Sequence, residues 1–230
     1  MLASFLEASL SLLQGGSKME INILAGGPLE LIPSLHSYSG EWIGVDRGVL
    51  TLIKEGIFVE KAFGDFDSVE KEELAFIMKD VGELLTFPPE KDETDMEIAI
   101  SWAIKQAPEK IRIFGATGGR LDHFFANIQL LFKPTALHET VPIEIIDCQN
   151  IISLIQAGTH TIERNDEYAY ISFIPFHGEV EGLTLVGFKY PLTLRHIPIH
   201  STLCISNELI SDIGTISFSE GILMVIRSRD

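Results

Sequence analysis

The stretch Lys110-Ile-Arg-Ile-Phe114, running into Gly115-Ala-Thr-Gly-Gly-Arg-Leu-Asp-His123, decides the fold. Its apolar residues 111–114 read as a buried strand. The glycines turn the chain, and Leu121, Phe125, Ile128 and Phe132 follow at helical spacing. Strand, glycine turn and helix in that order predict an α/β unit built on a parallel sheet.

The same rhythm recurs upstream. Residues 21–25, 42–45, 61–63 and 83–87 read as further strands. Leu74, Ile77, Met78 and Val81 form one helical stripe; Met96, Ile100, Ala103, Ile104 and Ala107 form another. Thr94-Asp-Met-Glu97 is a capping box, with Thr94 accepting from the Glu97 N–H and Glu97 reaching back. Asp67 or Ser68 can cap the helix that follows, and Pro108 ends a helix near Gln106. After Pro134 the pattern changes. Short strands are expected at 143–147, 151–156, 159–163, 168–173, 180–185, 192–195, 201–206, 214–218 and 222–227. Turn signals such as Gly158 and Glu220-Gly221 separate them, which predicts an all-β sandwich. The expected organisation is an α/β domain over 19–138 and a β-sandwich over 139–230. Residues 1–18 are expected to be an appendage or remnant, with a short packing helix over Leu2, Phe5, Leu6, Leu10 and Leu13 as the alternative.

Composition narrows the classes. The chain has 230 residues, 46% hydrophobic and 22% charged, which excludes a disordered protein. Seventeen Lys and Arg against 33 Asp and Glu leave a net charge of −16. That balance argues against nucleic acid as a partner and against docking on an anionic membrane. Two distant cysteines, Cys148 and Cys204, form neither a zinc motif nor a disulfide framework, and they fit a reducing cytoplasm. Residues 1–18 lack the basic start and apolar core of a signal peptide. No apolar run reaches the ~18 residues of a membrane span.

In an open parallel sheet, ligands bind beyond the carboxyl ends of the strands. Those ends carry Gly26-Gly27-Pro28, Asp46-Arg47-Gly48, Gly64-Asp65-Phe66-Asp67-Ser68, the acidic run through Asp92 to Asp95, and Gly115 to His123. Asp46, Asp65, Asp67, Asp92, Asp95 and Asp122 would crowd their charges on one edge, and crowded carboxylates repel. A hard cation such as Mg²⁺ relieves that repulsion and takes phosphate oxygens as further ligands. Glycine loops at helix N-termini suit phosphates, and Arg120 can grip one with two bonds. Gly26, Gly27, Arg47, Thr94, Thr117, Gly118 and Gly119 are the accompanying phosphate-side candidates. Each has an ordinary explanation when taken alone. Asp67 and Thr94 can be caps, Asp46 a turn residue, the glycines turn formers, and Arg120 with Asp122 a surface ion pair. Their shared position at strand ends is the stronger argument. No GxxxxGK[ST], GxGxxG or GxSxG pattern occurs. His196 and His200 read as surface residues on a β edge.

Gly64-Asp-Phe-Asp-Ser68, Asp92-x-Thr-Asp95 and Gly115-x-Thr-Gly-Gly-Arg-x-Asp-His123 resemble the signature blocks of the thiamine pyrophosphokinase family. Asp46-Arg-Gly48, Lys189-Tyr-Pro-Leu192 and Ser206-Asn-Glu208 match further blocks, in the right order from Glu20 to Asp230. The resemblance implies a Rossmann-like nucleotide-binding domain followed by a β-sandwich. It implies transfer of the β,γ-diphosphate of ATP to the hydroxyl of thiamine, with Mg²⁺, in a homodimer whose thiamine site spans both subunits. Carried over by motif, Asp65, Asp67 and Asp95 would hold the metal and phosphates, with Asp92 close by. Arg120 and Asp122 would line the nucleotide side. Asp46, Asp95, Asp122, Ser206 and Asn207 would approach thiamine, and Asp95 or Asp122 would accept the hydroxyl proton. Two departures stand out. Lys91 replaces a glutamine of some members, and both tryptophans, Trp42 and Trp102, are far from Ser206 in sequence. Two other classes fit less well: a nicotinamide-dependent oxidoreductase, which rests on alternation and glycines alone, and a non-catalytic ligand sensor.

Overall fold

A computed structural model describes residues 19–64, 81–86 and 92–230. Six strands run parallel: β1 (Glu20–Leu24), β2 (Glu41–Val45), β3 (Val59–Gly64), β4 (Val81–Thr86), β5 (Lys110–Phe114) and β6 (Ile143–Ile146). Their order is β6-β5-β1-β2-β3-β4. Alternating residues supply a core on each face. Ile21, Ile23, Ile43, Ile111 and Ile113 bury against α2 (Asp95–Lys105) and Ile128 of α3 (Leu121–Leu130) on one side. Leu24, Trp42, Ala62 and Phe114 bury against Val49 and Leu52 of α1 (Arg47–Lys54) on the other. Two covered faces explain why these strands read as continuous apolar runs. Each buried isoleucine contributes about 2 kcal/mol. Arg112 of β5 grips Glu20 of β1 through two bonds of 2.8 and 2.9 Å.

The parallel sheet matches expectation, with several corrections. Val81 opens β4 instead of closing a helical stripe, while Leu74, Ile77, Met78, Asp67, Ser68 and residues 1–18 lie outside the described residues. Ala107 falls past the end of α2, in a left-handed conformation. On α3, only Ile128 of the expected stripe is buried; Leu121 and Phe125 are exposed. Phe132 lies beyond α3 and precedes the short α4 (Lys133–Ala136).

The second half is not a sheet of its own. β6 pairs parallel to β5 and antiparallel to β7 (Asn150–Glu163), so one mixed sheet continues through both halves. Residues 151–156 and 159–163 are one strand, β7. Residues 214–218 and 222–227 are likewise one strand, β11 (Ile213–Ser228). Gly158 and Gly221, at positive φ, do not end their strands; β11 absorbs a register shift between Phe218 and Ile222 as a bulge. At that bulge β11 changes neighbour, from β9 (Val180–Val186) to β8 (Tyr170–Pro175). A third core of Phe173, Leu183, Leu185, Phe188, Ile216, Phe218 and Leu223 fills the space between. β10 (Leu192–Ile197) pairs with β9 at the edge. Residues 201–206 are not a strand. They form a loop, in which Ser206 is left-handed (φ +56) and cannot continue a ladder.

Gly48 packs tightly against the end of β1. A Cβ there would stand 1.9 Å from the Leu24 carbonyl oxygen. Helix propensity alone favours alanine over glycine by about 1 kcal/mol. The clash reverses that sign: Gly48→Ala is expected to lose about 3 kcal/mol in urea unfolding, and a variant as stable as wild type would contradict this packing.

Candidate functional site

Strand order reverses between β5 and β1, and the crevice of an open α/β sheet lies beyond the carboxyl ends of such a pair. Here the two loops touch backbone to backbone. The Gly27 N–H donates to the Gly115 carbonyl at 2.9 Å, and a Cβ on Gly27 would stand 2.4 Å from that oxygen. Asn127 of α3 steadies the loop by donating from Nδ2 to the Ala116 carbonyl at 3.1 Å. Sequence reasoning missed Asn127; its signal was an amide beside the apolar stripe of α3. Thr117 is buried, and its hydroxyl has no hydrogen-bond partner among the described residues. An unmet buried hydroxyl costs about 1–3 kcal/mol, which a phosphate or hydroxyl of a ligand would recover. Gly118, Gly119 and Arg120 continue this loop at the surface, as does Gly26 on the β1 side.

Asp46 follows β2 with φ 51 and ψ −122, a conformation that non-glycine residues seldom adopt. Its N–H donates to the Phe63 carbonyl at 2.9 Å, joining the end of β2 to the end of β3. Asp46 stands at the N-cap position of α1, yet its side chain makes no capping bond. Asp46 is exposed just beyond the carboxyl end of β2, with exposed Arg47 beside it. Thr94 caps α2 as expected, accepting from the Glu97 N–H at 3.1 Å. The reciprocal half of the box is absent, because the Glu97 carboxylate binds Lys133 Nζ at 2.6 Å. Asp95 is half-buried in the first turn of α2, where the helix dipole favours negative charge, and Asp92 is exposed just before it. Asp65, Asp67 and Lys91 lie outside the described residues; Gly64, just before Asp65, ends β3 at the same edge.

Arg120 and Asp122 form a two-point ion pair on the surface, Nε–Oδ1 3.1 Å and Nη2–Oδ2 2.5 Å. The Arg120 hydrogen bonds, helped by the His123 N–H, hold the Asp122 carboxyl down at about 2. Asp122 therefore stays ionised through the neutral range and is a weak base while Arg120 holds it.

The second group of expected residues sits elsewhere. Ser206 is exposed and Asn207 is buried, in the loop between β10 and β11. The strand order places β11, β7, β6 and β5 between the β9–β10 edge and β1, so the sheet does not bring this loop to the aspartate edge of the same chain. Ser172 of β8, which sequence reasoning missed, accepts from the Ser206 N–H at 3.0 Å. A serine inside the apolar run of β8 was its signal. His196 is on the edge strand and exposed, as expected, with Nδ1 2.7 Å from Glu181 Oε1; His200 is exposed as well. Among the described residues, no helix is long and apolar enough to cross a membrane.

Comparison with known proteins gives a consistent result. A family model described as thiamin pyrophosphokinase, catalytic domain, matches residues 33–145. A second, the vitamin B1 binding domain of thiamin pyrophosphokinase, matches residues 159–223. The thiamine pyrophosphokinase of Bacillus subtilis (strain 168) is 51% identical over 213 residues, covering 91% of this chain and 99% of the relative. The crystal structure of the B. subtilis protein superposes with a TM-score of 0.84 at 48% identity, covering 92% of this chain and 99% of that one. The crystal structure of thiamin pyrophosphokinase from Geobacillus thermodenitrificans gives 0.82 at 50% identity, covering 92% and 98%.

The ion pair at the mouth of the glycine loop generates a direct expectation. Arg120→Ala should raise the Asp122 pKa from about 2 toward the ordinary carboxylate value of 3.8, followed by carboxyl carbon NMR across an acid titration. A carboxyl still titrating near its wild-type midpoint would show that Arg120 is not the cause.

Proposed function

The chain belongs to the thiamine pyrophosphokinase family and is an enzyme of that class, a thiamine diphosphokinase; we propose that it moves the β,γ-diphosphate of ATP to the hydroxyl of thiamine, with Mg²⁺, releasing AMP. One observation carries the nucleotide half of this reading: the buried, unpartnered Thr117 hydroxyl in a glycine loop at the reversal of strand order. Gly26, Gly27, Gly118 and Gly119 let main chain approach the phosphates, with Arg47, Thr94 and Arg120 on the same side. The exposed Asp46 and half-buried Asp95 carboxylates are oxygen donors of the kind Mg²⁺ prefers. Asp95, with Asp65 and Asp67, would hold the metal, and Asp92 would stand nearby. Bound there, Mg²⁺ would offset charge on the transferred group and on departing AMP.

The protein's own work is positioning and charge placement. Arg120 lies ready for a phosphate because Asp122 orients it through two bonds. That pairing makes Asp122 a weak base for the proton of the thiamine hydroxyl, as the metal would make Asp95. Asp46, fixed by its strained turn, faces the cation of thiamine. Ser206 and Asn207 belong to the thiamine side, which the sheet separates from the aspartate edge of the same chain. A homodimer resolves that separation, each subunit's 139–230 region completing the site of its partner's 19–138 region. The exposed Leu121, Phe125, Leu194, Ile199, Leu203 and Ile205 supply apolar surface for such a contact. Two cysteines outside any disulfide suit a cytoplasmic location.

AMP formation from ATP is expected to require both thiamine and Mg²⁺ and to stop on chelation; ADP in place of AMP would mean attack at the γ-phosphorus and overturn the reading. Asp65→Asn and Asp67→Asn should each abolish turnover without moving the thermal midpoint, and near-wild-type activity in both would sink the metal assignment. Sedimentation should give twice the chain mass of 25.5 kDa, and a monomer that still turns over would refute the shared site.

A further inference from the structure

Ser206 and Asn207 are neighbours in sequence and opposites in environment. Ser206 is exposed, while Asn207 is 2% exposed. The Asn207 carboxamide is committed to main chain. Its Oδ1 accepts from the Tyr190 N–H at 3.0 Å and from the Glu208 N–H at 2.9 Å, and its Nδ2 donates to the Tyr190 carbonyl at 2.9 Å. An amide oxygen has two lone pairs, and both are used. The backbone of Asn207 also bridges Ile171, at 2.7 and 3.0 Å. One residue thereby joins β8, the segment that leads into β10, and the loop carrying Ser206.

Ser206 is anchored from its other side as well. Its N–H donates to Ser172 Oγ at 3.0 Å, and Ser172 is 7% exposed. Between these anchors Ser206 is held at φ +56, where a serine seldom sits and persists only when its surroundings fix it. Two buried polar residues thus hold a left-handed serine at the surface.

We propose that Ser172 and Asn207 are positioning residues that aim the Ser206 hydroxyl at a polar atom of thiamine, and that Asn207 itself does not touch the substrate. The inference rests on the reading of Ser206 as a thiamine contact. Loss of either anchor lets the loop relax toward ordinary φ, and the hydroxyl leaves its place without any change at the ATP end.

The test is steady-state AMP formation by the full-length protein, with KM taken separately for thiamine and for ATP, well below each variant's unfolding temperature. The variants are Ser206→Ala, Ser172→Ala, Asn207→Asp and the double Ser172→Ala/Ser206→Ala. Each single change should raise the thiamine KM about five- to tenfold and leave the ATP KM within about twofold, the scale of one hydrogen bond. If Ser172 acts through Ser206, the double variant is no worse than Ser206→Ala alone. A Ser206→Ala effect with an unchanged Ser172→Ala, or an additive double variant, overturns the positioning role and leaves the thiamine contact standing. An unchanged Ser206→Ala overturns both. Should Asn207→Asp fail to fold, the Ser172 and double variants decide by the same criteria.

Discussion

Main chain meets main chain at the carboxyl ends of β1, β2 and β5, and the rest of the molecule is arranged around that contact. Gly27 lies on the Gly115 carbonyl and Gly48 on the Leu24 carbonyl, each at a distance that leaves no room for a side chain. Three loops therefore nest with backbone inside and side chains outside. Asp46, Arg47 and Arg120 have nowhere to go but the exposed edge, and Thr117 is trapped beneath it. The closeness also demands that both faces of the sheet be covered, since a sheet free to twist would part the loops. The isoleucine face under α2 and the Leu24, Trp42 and Phe114 face under α1 meet that demand.

The electrostatics follow from the same arrangement. A chain of net charge −16 places several of its aspartates where strands end and helices begin. Local devices then differentiate them. Asp95 lies at a helix N-terminus, Asp46 on a strained turn, and Asp122 under an arginine that keeps it ionised into strong acid. Residues of one type thus acquire different electrostatic settings from their backbone positions.

The first half was legible in the sequence because its signals are local. The Thr94 cap, the stop near Gln106 and the five apolar runs before Pro134 need only a few neighbouring residues, and each appears where expected. That Asp46, Thr94 and the loop from Gly115 to Arg120 follow strand ends could be read for the same reason. The second half depends on partners far along the chain. Gly158 and Gly221 carry the composition of turns, but a continuous ladder between β7 and β11 overrides them. The segment 201–206 alternates like a strand, yet its place is set by Ser172, 34 residues before Ser206, and by Asn207, which reaches back to Tyr190 and Ile171. The inward turn of Asn207 is invisible for that reason, since a motif records which residue is present and not which way it faces. Ile143 to Ile146 had the composition of a strand, but only pairing with β5 showed which sheet it extends.

The long strands have a mechanical consequence. β7 and β11 run side by side from Asn150 and Ser228 to Glu163 and Ile213, and β7 is also bonded to β6 of the parallel sheet. A hinge between the two halves would have to shear this ladder, breaking many hydrogen bonds at once. The pair acts as a stiff beam, so the glycine loops at the strand ends and the Ser206 loop of one chain keep their separation. Movement around a ligand is thereby left to short loops and, in the proposed homodimer, to the seam between its two copies. In the proposed homodimer, a change in how the two copies meet would be felt at the shared site with little loss along the beam.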